Sequence, residues 1–125
     1  EKPRPMSGPQ GRSQLFWGTD TSRTLASQFI RSVQPDGGRG HLEALMLALS
    51  YGPEVIFFLT DAGEPVLSAG ELDQIKRRNN GRTKIHAVEF GKGANLRVDN
   101  FLKKLAREND GAHIYRDVSQ FRSKE

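Results

Sequence analysis

Pro53-Glu54-Val55-Ile56-Phe57-Phe58-Leu59-Thr60-Asp61 decides the fold, because five consecutive large apolar residues run straight into Thr-Asp. A run without polar alternation reads as a strand buried on both faces, which belongs inside a parallel sheet flanked by helices. The polar pair then falls at the carboxyl end of the strand, where open α/β sheets form their ligand crevices. Asp61 is therefore the first candidate functional residue. The competing reading makes it an acceptor for the amides of the following loop.

Working outward, Gly40 to Ser50 reads as a helix, with Leu42, Leu45, Met46 and Leu49 on one side and Ala44, Leu47 and Ala48 widening the apolar surface. Pro35-Asp36-Gly37-Gly38 separates it from an earlier helix, Thr21 to Val33, striped by Leu25, Phe29, Ile30 and Val33 and capped by Asp20 or Thr19. Gln14 to Gly18 reads as a brief strand, and Glu1 to Arg12, with its prolines and glycines, as a loop or extended lead-in. Beyond the apolar strand, Ser68-Ala69-Gly70-Glu71 has capping-box spacing, with Leu67 and Leu72 at the two staple positions. That helix ends at Asn79-Asn80-Gly81 behind Lys76, Arg77 and Arg78, cations that suit a carboxyl-end dipole. Lys84 to Phe90 is the next strand, and Gly91-Lys92-Gly93 turns the chain. A helix capped by Asp99 or Asn100 then runs to Asn109 with Phe101, Leu102, Leu105 and Ala106 inward. His113 to Arg116 is a last short strand, and the chain from Ser119 is a polar tail. Strands separated by single helices imply right-handed crossovers and parallel neighbours, hence a Rossmann-like α/β fold. The division expected is a lead-in over 1–13, one domain over 14–118 and a tail over 119–125.

At 125 residues the chain holds one domain at most. No apolar run approaches the ~20 residues that cross a bilayer, so no membrane segment is expected. Cysteine is absent, which excludes disulfides and thiolate metal sites and leaves the compartment unassigned. The net charge of +4 is unevenly spread: residues 1–75 hold 6 Lys/Arg and 9 Asp/Glu, residues 76–125 hold 13 and 6. A basic second half is compatible with an anion or nucleic-acid partner. Without interleaved aromatics, nucleic acid is the less favoured of its readings, and solvated helix ends and loops account for the excess.

Taken together, Val55 to Pro65, the preceding Pro35-Asp36-Gly37-Gly38 with its Ala/Leu-rich helix, the strand ending Phe90-Gly91, and Asn100-Phe101-Leu102-Lys103-Lys104-Leu105-Ala106 resemble the later part of a von Willebrand factor type A (vWA) domain. The resemblance runs from about Leu15 to Val118. It implies a three-layer αβα fold with a mainly parallel sheet, truncated here at its amino-terminal side. It also implies a metal-ion-dependent adhesion site, in which three loops hold magnesium and a partner's carboxylate completes the coordination; oxygen ligands suit such a hard cation. Residue by residue, Asp61 matches the third loop, with Ala62 where Gly is frequent and Gly63 following. The second loop falls in Gly37-Gly38-Arg39-Gly40-His41, where Arg39 stands at the expected Thr. The first loop's Asp-x-Ser-x-Ser does not occur in the 125 residues. A guanidinium repels a cation, so Arg39 replaces the metal's charge by pairing with Asp61, and the chain alone is expected to take no cofactor. The family's missing first strand lies beside Val55 to Leu59. A fragment without it has an unpaired, self-associating sheet edge.

Other chemistries have little support. His41, His86 and His113 form no i, i+4 metal pair, Gly91-Lys92-Gly93 lacks the phosphate-loop ending, and no Gly-x-Ser-x-Gly elbow is present. Asp61 and Glu64 make a carboxylate pair without a substrate pocket to match. The expectation is a non-enzymatic protein-binding module using Asp36, Gly38, Arg39, Asp61, Gly63 and Glu64, on the loops Asp36 to His41, Asp61 to Pro65 and Gly91 to Asn95.

Overall fold

A computed structural model describes residues 3–7, 14–34, 40–63, 65–94 and 100–121. Its helices are α1 (Asp20–Ser32), α2 (His41–Ser50), α3 (Ala69–Asn79) and α4 (Phe101–Glu108); its strands are β1 (Val55–Thr60), β2 (Lys84–Gly91) and β3 (His113–Asp117), followed by a 3₁₀ turn, Val118–Gln120. The strands lie in the order β1-β2-β3, both pairings parallel, with Ile56 opposite Ile85 and Phe58 opposite Ala87. This is the alternating, Rossmann-like α/β arrangement that the strand and helix order implies.

The local signals explain the boundaries. Thr19 caps α1, accepting from the Ser22 amide, and Asn100 caps α4, accepting from the amides of Leu102 and Lys103. At α3 the capping box is complete: Ser68 Oγ accepts from the Glu71 amide at 3.2 Å, and Glu71 Oε1 accepts from the Ser68 amide at 3.0 Å. Leu67 and Leu72 are both buried beside it. Asn80 closes the helix in the left-handed region at φ 49°.

One core fills the space between the sheet and α2, α3 and α4, built from Leu45, Leu49, Leu67, Leu72, Ile75, Ile85, Ala87, Leu102, Leu105 and Ala106. Parallel strands that advance in one direction through right-handed crossovers place successive helices on the same face. That rule puts α3 and α4 side by side, and α2 packs against α3. Below them Asn79 and Asn109, both buried, form a polar staple. Asn79 Nδ2 donates to Thr83 O at 2.7 Å and to Asn109 Oδ1 at 2.9 Å, Asn79 Oδ1 accepts from the Thr83 amide at 2.7 Å, and Asn109 Nδ2 donates to Leu105 O at 2.8 Å.

Two expectations are corrected. β1 is not covered on both sides: Phe57 and Leu59 are 65% and 57% exposed on the face away from the helices, while Ile56 and Phe58 turn inward. A continuous apolar run specifies two apolar faces, but the crossovers from β1 to β3 supply helices to only one of them. Among the described residues the strand paired with β1 is β2, and Pro3, Pro5 and Leu15 line a cavity together with Val55 and Ile56. Gln14 to Gly18 is irregular rather than a strand, with Trp17 87% exposed. Helix α1 buries none of its residues despite its apolar stripe. No described helix is long and apolar enough to cross a membrane.

Candidate functional site

The carboxyl end of β1 places Asp61 at the surface, where its Oδ1 accepts the Gly63 amide at 3.0 Å. Thr60 Oγ1 accepts the Ala62 amide at 3.3 Å. Between them Ala62 adopts φ 60°, a left-handed conformation that costs a Cβ-bearing residue roughly 1–2 kcal/mol and that glycine takes freely. The turn is tight enough to ask for glycine at that position. Of the six residues singled out from sequence, Asp61 and Gly63 are thus brought together; Asp36, Gly38, Arg39 and Glu64 lie outside the described residues. The Gly91 to Asn95 loop is described as far as Ala94.

Beside this turn the amino ends of α2 and α3 border a cavity of about 200 Å³, lined by Gly40, His41, Leu42, Glu43, Pro65, Val66, Leu67 and Glu71. His41 forms its inner wall. The imidazole is buried, edge-on to Phe58 at 5.4 Å and stacked on Phe101 at 5.9 Å, so it works as an aromatic core residue. His86 lies on the opposite face of the sheet, stacked on Phe57 at 5.2 Å and accepting the Ala112 amide through Nδ1. Among the described residues no three His, Asp or Glu side chains gather closely enough to hold a metal ion.

A second polar cluster on the same edge escaped the sequence reading. Glu89 Oε1 accepts from Asn100 Nδ2 at 2.7 Å and contacts His113 Nε2 at 2.9 Å, tying β2 to the cap of α4 and to β3. Tyr115 donates its hydroxyl to Gly93 O at 3.0 Å, and Asp117 Oδ1 accepts from the amides of Gly93 and Ser119 and from Ser119 Oγ. The hydrogen bonds from Ser119 and then Gly93 hold the Asp117 carboxyl below its ordinary range. Desolvation, followed by the Asp117 and Glu89 charges, pushes the Tyr115 phenol up. A Cβ at Gly91 would run into the ring and hydroxyl of Tyr115, so any larger residue there has to displace that side chain. The Gly-Lys-Gly turn is therefore a pinned structural corner, with Lys92 projecting from it. An acid at the end of an apolar strand, Glu89, was the available signal.

No protein-family model matches the chain. Inter-alpha-trypsin inhibitor heavy chain H2 of Homo sapiens is 28% identical over 114 residues, covering 80% of this chain and 12% of that protein; the Mesocricetus auratus protein of the same name is 29% identical with the same coverage. The chain thus spans about an eighth of the length of these relatives. The human relative contains a vWA domain. The vWA resemblance is supported at this distance. Together with the parallel sheet and its alternating helices, the comparison supports a vWA-like reading at the level of fold and remote similarity, and no finer one.

Proposed function

We propose that the chain is a non-catalytic protein-interaction module of vWA type with a degenerate metal-ion-dependent adhesion site, offering the carboxyl edge of its sheet to a protein partner. The observation that carries this reading is the exposed Asp61 turn, fixed by the Gly63 amide and standing next to the cavity between α2 and α3. Distant similarity to a vWA-containing protein supports a protein-binding role. In this reading the edge works without a resident cation, because Arg39 stands where the resemblance expects Thr and no Asp-x-Ser-x-Ser is present. Self-association along the β1 edge belongs to the same proposal.

Photo-crosslinking tests the edge directly. A benzophenone side chain at Pro65, on the rim of the cavity, should capture a discrete protein partner in the native cell, whereas one at Gln74, exposed on the outer side of α3, should not. Equal capture at both positions, or none at Pro65, removes the edge as the binding surface. Magnesium binding at micromolar strength to this chain alone, seen by calorimetry, overturns the degenerate-site reading separately.

A further inference from the structure

The opposite end of the sheet carries a different chemistry. Lys76, Arg77, Arg78, Arg82 and Lys84 fall within nine residues that contain no acid. The turn joining α3 to β2 folds this segment back on itself: Asn80 at φ 49° and Gly81 at φ 72° are both left-handed, and the Arg82 amide closes onto Asn79 O at 3.1 Å. The reversal brings Arg78 and Arg82 to one cleft of about 240 Å³, whose remaining walls are Leu49, Ser50, Gly52, Asn79 and Thr83.

Three features separate this cleft from a merely solvated helix end. Its backbone is rigid, because buried Asn79 bonds Thr83 in both directions and Thr83 Oγ1 donates to Pro53 O at 2.6 Å. Several of the last carbonyls of α2 and α3 are already engaged: Leu47 O by Ser50 Oγ, Leu49 O by the Gly52 amide, Lys76 O by the Asn80 amide. The lining contains no carboxylate, and among the described residues the cation of this segment that is paired is Arg77, with Asp73 at 2.9 Å. Two guanidiniums lining one cleft can present their forked N–H groups to a tetrahedral oxyanion, in addition to complementing the carboxyl-end dipole of α3.

We propose that this cleft binds a phosphate or sulfate group borne by a multiply charged ligand, gripped by Arg78 and Arg82 with Lys76 and Lys84 adding attraction around it. The lining has no aromatic side chain, so the site reads the charged group and offers no platform for a stacked nucleobase. Both arginines are exposed, so salt screens each contact and a single anion binds weakly.

The test is a titration of the isotope-labelled chain with inorganic phosphate and, separately, inorganic sulfate, followed by amide NMR shifts against sodium chloride at matched ionic strength. Saturable shifts centred on Ser50, Gly52, Arg82 and Thr83 are expected, weakened at least tenfold in R78Q/R82Q and unchanged in R107Q. Saturation by one oxyanion alone supports the site and identifies which group the ligand bears. Equal shifts with chloride, shifts spread over all Lys and Arg residues, or an unaffected R78Q/R82Q variant overturn it. The exposed positions of both arginines keep the variant folded, which its otherwise superimposable spectrum verifies.

Discussion

Replacing Asn79 by Ala removes the residue on which the end of α3, the start of β2 and the end of α4 converge. Asn79 is 2% exposed, and its loss takes the hydrogen-bond partner from the Thr83 amide, the Thr83 carbonyl and Asn109 Oδ1, all on residues at most 3% exposed. Each buried polar group left unsatisfied costs about 1–3 kcal/mol. The adjoining cleft, lined by both Asn79 and Thr83, admits water that restores part of the loss. A net destabilisation of about 3–5 kcal/mol follows, a large share of the ~5–15 kcal/mol that holds a typical domain folded. In urea, with a slope of about 1–3 kcal/mol/M, the far-ultraviolet dichroism midpoint should fall by roughly 2 M. Asn79→Asp keeps an acceptor for the Thr83 amide but turns a second acceptor toward Thr83 O and Asn109 Oδ1, so it should fall at least as far. Pairing Asn79→Ala with Asn109→Ala should reveal a coupling of ~1 kcal/mol or more. A midpoint for Asn79→Ala within about 0.3 M of the parent would refute the staple as a determinant of this fold.

Two further outcomes are expected. Gly111→Ala should abolish soluble folding or destabilise by several times ~1 kcal/mol, since its Cβ would stand 1.7 Å from Ile85 O, a backbone atom with nowhere to move, whereas Gly70→Ala on open α3 should raise the melting temperature slightly; comparable melting of the two variants would contradict this. The lowered Asp117 pKa means the folded corner favours the anion, so its pinning of Gly93 and Ser119 is present above the ordinary carboxylate range and is lost as pH falls through the lowered value; amide shifts of Gly93 and Ser119 that titrate within the ordinary range would contradict this.

What was legible in the sequence was whatever is encoded within a turn or two of chain. Ser68 and Glu71 announce the start of α3 because both partners of the capping box lie three residues apart, whereas at α4 the sequence offers Asp99 or Asn100 and the structure shows Asn100 capping. The carboxyl-end position of Asp61 followed from the apolar run before it. The contacts that were missed join distant positions: Glu89 meets Asn100 across 11 residues and His113 across 24, and Asn79 meets Asn109 across 30. No periodicity records such pairs. The open face was missed for another reason, since Phe57 and Leu59 have the same composition whether or not something lies on them.

That open face also governs how binding and stability are connected. Full burial of a Val, Leu or Phe side chain contributes about 1.5–3 kcal/mol, so covering Val55, Phe57 and Leu59 is worth on the order of 5 kcal/mol before ordering costs. Such a gain rivals the net stability of a small domain. Whatever lies against β1, be it a further strand, the amphipathic α1 or a second molecule, therefore shifts the folding equilibrium as strongly as it is itself bound. Asp61 ends that same strand, so a partner that docks on the carboxyl edge meets a turn whose rigidity depends on how well β1 is held. The edge strand is the element through which occupancy of the open face and presentation of the Asp61 turn are coupled.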